Sequence, residues 1–236
     1  MMPSDTLILS VRELRLILER LVQAAGTPGG LLPSVRDCAF YSAVLPGPGL
    51  SGIAQQIEQL RASGVAPLAD VSTDGELTID CAGQHAWMVA ETLLDLAVER
   101  FRLTGRGELL ALNLSEASEL RVVSGLAERF GLTALVEPKG NGVQLSLTTR
   151  AAAKRSAIDM VRHDGLSAAA SSWWPLYQAS HDALMPDSFE SRRHAGTVRV
   201  EADGRVVGRN DEDETDLSML TADPSRLQPN PVSSAS

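Results

Sequence analysis

Residues 108–148 read ELLALNLSEASELRVVSGLAERFGLTALVEPKGNGVQLSLT, and this stretch decides the fold class. Glu108 to Leu114 is apolar on both alternating faces, as expected of a strand in the middle of a sheet. Ser115 and Glu116 open a helix that runs to Phe130 and is closed by Gly131. Leu132 to Val136 is strand-like again. Pro138-Lys139-Gly140-Asn141-Gly142 forms a turn, after which Val143, Leu145 and Leu147 alternate with Gln144, Ser146 and Thr148 as a half-exposed strand does. Strand, helix, strand and hairpin in this order predict a mixed sheet with helices packed on it.

Upstream, Asp74-Gly75 is a hairpin signal, and Leu77, Ile79 and Cys81 alternate with Glu76, Thr78 and Asp80. Trp87, Ala90, Leu94, Ala97, Val98 and Phe101 then recur at helical spacing until Gly105-Arg106-Gly107. Nearer the N-terminus, Ser10 and Glu13 form a capping box with Leu9 and Leu14 as its hydrophobic staple. Val11, Leu14, Leu18, Leu21, Val22 and Ala25 continue that helix to Gly26. Two more helices are predicted, from Leu32 to Leu45 with Pro33 in the first turn and from Ser51 to Ala62, on either side of Pro46-Gly47-Pro48-Gly49. Downstream, Ala151 to His163 and Ser167 to Leu184 read as helices, the second kinked or divided at Pro175.

The expected class is therefore α+β: N-terminal helices, a mixed sheet of about five strands, C-terminal helices and a tail. Residues 1–64 form the helical region, 65–196 the α+β body and 197–236 a flexible polar tail. Residues 1–196 are read as one compact domain, with a split near Gly64 as the alternative. From Asn210 onward six carboxylates face one Arg. That charge, with no apolar periodicity, predicts disorder.

Composition narrows the function classes. The 236 residues are 44% hydrophobic, 22% charged and only 4% aromatic, so the core rests on aliphatic side chains. A net charge of −9 opposes attraction to nucleic acid or an anionic membrane. The N-terminus lacks an export signal and no apolar run is long enough to span a bilayer, which predicts a soluble, cytoplasmic protein. Cys38 and Cys81 are too few and too far apart for a metal cluster or redox motif, so they are read as reduced, partly buried thiols.

None of the glycine-rich stretches completes a dinucleotide fingerprint or a P-loop, so no cofactor is expected. His85, His163, His181 and His194 show no metal-ligand spacing and are read as surface residues. His163-Asp164 and His181-Asp182 are neighbours about 100° apart on a helix, which is no catalytic pairing. Trp173 and Trp174 cannot both enter one core stripe, so either one marks a contact surface or both are buried between two layers. Residues 185–196, MPDSFESRRHAG, pack Ser188, Ser191, Arg192, Arg193 and His194 closely enough to hold a carboxylate or phosphate.

Two segments resemble a proteobacterial domain-of-unknown-function family of proteins of about this length. At the N-terminus Ser10, Glu13, Ala25, Gly26 and Gly30-Leu31 match its pattern. Gly29 stands where that pattern has Trp, and Pro33-Ser34 where it has two acids. Near the C-terminus Pro186, Ser188, Ser191, Arg192, Gly196, Asn210 and Asp211 resemble its second signature, with Thr197 to Gly208 inserted. The resemblance implies no activity; it implies that Pro186 to Gly196 is more than a connector.

Together these readings predict a non-catalytic accessory or small-anion-binding protein, with a protein partner or small anionic ligand at Ser188, Ser191, Arg192, His194, Trp173 and Trp174. The alternative is a cofactor-free hydrolase or lyase using Ser191, His194 and a carboxylate such as Asp187. Whether the chain is an enzyme stays open at this stage.

Overall fold

Ser10 starts the first helix as its sequence requires: its hydroxyl accepts the Glu13 amide at 3.2 Å, and the Glu13 carboxylate accepts the Ser10 amide at 2.8 Å. This computed structural model describes residues 5–73, 75–151 and 155–183 and two short strands, 199–200 and 206–207. Strand β1 (Thr6–Leu9) precedes helix α1 (Val11–Ala24), whose Leu14, Ile17, Leu18, Leu21 and Val22 turn inward at helical period. Helices α2 (Leu32–Val44) and α3 (Leu50–Ala62) follow, then strands β2 (Ala69–Asp70) and β3 (Thr78–Asp80).

Helix α4 (Ala86–Thr104) is buried from Ala86 through Ala90 on every side, with Trp87 fully enclosed, and ends at Gly105 in the left-handed conformation. Strand β4 (Gly107–Leu112) comes next. At Gly107 a Cβ would sit 2.7 Å from the Leu147 Cβ and 3.0 Å from the Phe101 Cβ, so only glycine lets α4 lie this close to the sheet.

The predicted helix over 115–130 takes a different form. A 3-10 segment (Ala117–Val122), the short helix α5 (Val123–Ala127) and a 3-10 turn (Glu128–Phe130) replace it, and Glu116 is left-handed rather than helical. Leu120, Val122, Val123, Leu126 and Ala127 must all be buried over a short run, and the tighter winding meets that demand.

Strands β5 (Leu132–Lys139) and β6 (Gly142–Thr149) complete a five-stranded mixed sheet of order β2-β3-β4-β6-β5. The α+β expectation therefore holds, with β4 at the centre. β3 and β4 are parallel, whereas β6 runs antiparallel to both its neighbours and separates β4 from β5. Leu109, Ala111, Val143, Leu145, Leu147, Leu132 and Ala134 point to the buried face. Leu109 and Leu145 are fully buried, worth roughly 2 kcal/mol each.

Beyond the sheet, helix α6 (Ala157–Asp164) is shorter than the predicted helix from Ala151, starting where the Ser156 hydroxyl accepts the Asp159 amide at 3.0 Å. Strand β7 (Leu166–Ala169) occupies what the sequence reads as the first turn of the next helix, α7 (Ala170–Asp182). β7 pairs antiparallel with β1, from Thr6 opposite Ala169 to Leu9 opposite Leu166. Local propensity favours helix for Ser-Ala-Ala, and a partner far away in sequence overrides it. Pro175 does not divide α7; the Ser171 carbonyl that loses its donor is on an exposed residue, where water can satisfy it.

The chain divides into two units, Met1–Met185 and Pro186–Ser236. In the second, β8 (Arg199–Val200) and β9 (Val206–Val207) form an antiparallel pair. The tail from Asn210 lies outside the described residues. Among the described residues no helix is long and apolar enough to cross a membrane.

Candidate functional site

The parallel strands β3 and β4 end together, with Asp80 opposite Leu112. Beyond them the two chains stay joined through the Cys81 amide to the Leu112 carbonyl and the Gly83 amide to the Asn113 carbonyl. The seam runs on where the Ser115 amide donates to the Gln84 carbonyl and the Ala86 amide to the Ser115 carbonyl. Ala82 and Asn113 stand on this seam with φ of 52° and 53°, and Glu116 follows with 52°. These are the positive-φ residues other than glycine among the described residues. For Ala82 the conformation costs about 1 to 2 kcal/mol.

A shallow groove of about 590 Å³ opens over this seam, lined by Pro67, Ala69, Asp80, Ala82, Gly83, Asn113, Leu114 and Ser115. The carboxyl ends of parallel strands are where open sheets with helical crossovers present their crevices. Asp80 Oδ1 accepts the Ala82 amide at 2.8 Å and Oδ2 accepts Asn113 Nδ2 at 2.9 Å. Those two donors, the amide first, hold the Asp80 carboxyl below its ordinary range, so it faces the groove as an anion.

Behind the groove lies a buried polar relay. His85 caps α4: its Nδ1 accepts the Trp87 amide at 3.1 Å, which places the proton on Nε2, 3.0 Å from Gln56 Oε1. Gln56 Nε2 donates to Glu116 at 3.0 Å. His85 is fully buried, contrary to the expectation of a surface histidine, because the start of α4 is roofed by the loop before β2. Ser63 accepts the His85 amide, and Gln84 Nε2 donates to the Ala66 carbonyl. Burial pulls the His85 pKa down to about 4, against the opposing charges of Glu116 and Glu119. Beside it, Trp87 Nε1 donates to Glu119 at 3.0 Å, and Arg121 joins Glu119 to the Ser42 hydroxyl and carbonyl.

Both thiols are free and fully buried. Burial, with Asp80 adding to it, raises Cys81 to about 12, and burial raises Cys38 well above its ordinary value. Neither presents a thiolate near neutral pH.

Of the residues singled out from sequence, Ser188, Ser191, Arg192 and His194 lie outside the described residues. Trp173 is in the core and Trp174 is 54% exposed, so the reading that buries both fails at Trp174. The two side chains point about 100° apart on α7, one into the core and the other out, and Trp174 meets Tyr177 edge-on in the open. His163 and Asp164 are in contact, Nδ1 to Oδ1 at 2.5 Å, despite their helical spacing. Both are exposed at the C-terminal end of α6. Asp80, Asn113 and Ala82 were missed: each is ordinary in type, and the available signal was a polar residue closing an apolar strand run at Ile79-Asp80 and again at Leu112-Asn113.

No family model matches the chain, and no curated protein matches it. Solved structures similar to it include malate dehydrogenase from Pyrococcus horikoshii OT3, at 16% identity and a TM-score of 0.47. That match covers 64% of this chain and 49% of the other. A malate dehydrogenase from Entamoeba histolytica matches at 14% identity and a TM-score of 0.42, covering 54% of this chain and 37% of the other. The chain thus spans about half or less of the length of these proteins.

Proposed function

We propose that this chain is a non-catalytic accessory protein that binds a small polar ligand in the groove over Asp80 and Asn113. The observation that carries the reading is that Ala82 and Asn113, both left-handed, line one groove at the ends of a parallel strand pair. Strained backbone of this kind persists where surrounding structure enforces it, and it clusters at binding sites. A non-catalytic role is supported by how the nearby reactive groups are used. Both ring nitrogens of His85 are engaged in holding α4 and α3, and the Cys81 thiol is buried and protonated.

Membership of the proteobacterial family described above is part of the same proposal, resting on Ser10, Glu13, Ala25 and Gly26. A small anion at Ser188, Ser191 and Arg192 is a companion reading supported by the density of donors there. Cytoplasmic residence is supported by the two free thiols.

Screening small polar molecules against isotopically labelled full-length chain tests the groove. Amide resonances of residues 80–84 and 113–116 are expected to shift together, and the bound molecule to be recovered chemically unchanged. Shifts centred elsewhere, or conversion of the ligand, would overturn the proposal.

A further inference from the structure

Around the groove, the backbone donors of one loop are already spent. The Ala82 amide goes to Asp80, Gly83 to the Asn113 carbonyl, Gln84 to the Cys81 carbonyl, His85 to Ser63 and Ala86 to the Ser115 carbonyl. The start of α4 therefore offers no nest for an anion, and the lining includes no Lys, Arg or His. What the groove presents instead is acceptors.

Asp80 uses one lone pair on each oxygen for Ala82 and Asn113, which leaves each oxygen able to accept one bond more. Asn113 points its amide nitrogen at Asp80, so its Oδ1 remains as an acceptor, and Ser115 adds a hydroxyl that can both accept and donate. Ala69, Ala82 and Gly83 supply small apolar surface beside them.

Resting on the binding role proposed above, we infer that the groove recognises the vicinal diol of an uncharged sugar. Two adjacent hydroxyls can donate side by side to the two Asp80 oxygens, and one of their oxygens can accept the single Ser115 hydroxyl proton. The C–H face of the sugar lies on the alanine and glycine surface. An ammonium or guanidinium ligand is disfavoured because it carries no acceptor for the Ser115 hydroxyl and finds no second carboxylate in the lining, whereas a diol both donates and accepts.

The probes are methyl β-D-ribofuranoside, which carries a cis diol, and its 2-deoxy counterpart, which does not. Binding to the full chain is read by saturation-transfer NMR and by amide shifts at 80–84 and 113–116. The riboside is expected to bind at millimolar concentration, the deoxy compound at least tenfold more weakly. Asp80→Asn, which keeps an oxygen for the Ala82 amide, is expected to weaken the riboside tenfold or more, and Ser115→Ala several-fold without affecting the turn. Equal binding of the two probes, or undiminished binding to Asp80→Asn, overturns the diol assignment. If methylguanidinium shifts the groove amides and the riboside does not, the assignment falls while the groove stands as a binding site. Silence from all probes at these amides removes the support for both.

Discussion

The side chains around Asp37 and those around His85 both tie the helical layer together, with opposite chemistry. Asp37 on α2 receives Arg15 from α1, its neighbour Arg36, and Arg129 from the turn before β5, while Glu19 and Glu91 balance Arg36 and Arg129. Three guanidinium groups face three carboxylates, and Arg15 and Arg129 also lie against the rings of Phe40 and Tyr41. Around His85 a neutral imidazole passes its bond through an amide to Glu116. The first cluster joins the regular helices α1, α2 and α4 to the 3-10 turn of Arg129, with its guanidinium groups part-exposed. The second sits where loops meet over strand ends, and there desolvation keeps the ring neutral.

Asp37→Ala gives the largest break in this contrast. It removes the acceptor shared by three part-exposed guanidinium groups, of which Arg36 and Arg129 keep Glu19 and Glu91, and is expected to cost about 3 kcal/mol, measured by denaturant unfolding. Asp37→Asn, which keeps the acceptor oxygen, falls between it and the wild type. Equal, small losses for both would mean that the charges contribute nothing net.

The second test is pH. The His85 pKa falls from 6.5 in the unfolded chain to about 4 in the fold. Within that window the unfolded chain takes up a proton that the folded chain refuses. Stability is therefore full above pH 6.5 and declines as pH drops toward 4, by on the order of 3 kcal/mol over the window. His85→Asn retains a side-chain cap for the Trp87 amide but cannot titrate, so the difference between the two pH profiles isolates the imidazole. Parallel profiles would show that His85 takes up its proton at an ordinary pH.

The smallest effect is expected from Ala82→Gly. Glycine removes the left-handed strain but loosens the unfolded chain, for a net gain of about 0.5 kcal/mol in thermal unfolding. A loss instead would mean that the Ala82 methyl packs usefully in the groove. The Asp37 cluster has no counterpart to this variant, since its residues lie on helical backbone.

Much of this frame was legible beforehand, for reasons visible at particular residues. Ser10 and Glu13 announce α1 because a cap is a local bond between residues three apart. Alternation announces β6 because one of its faces is buried and the other is not. β1 and β7 were illegible, since each is short and is a strand only because the other is there. The groove was illegible too: Asp80 and Asn113 meet only once β3 and β4 pair, and nothing in an alanine marks it for positive φ. His85 reads as a polar residue in a glycine-containing turn, and its burial depends on Gln56 and Ser63 from α3 and its cap and on Glu116 from another segment.

The pairing of β1 with β7 also sets an order of events during synthesis. Thr6 to Leu9 leave the ribosome well before Leu166 to Ala169 and can find them only after the whole five-stranded sheet has been made. Until then α1 has its cap but lacks the ribbon that anchors the chain entering it. Contacts this distant along the chain carry a large loop-closure cost and slow folding. The N-terminal strand is thus a late latch, and nascent chains arrested before residue 166 should still hold it accessible to protease after the central sheet has become resistant.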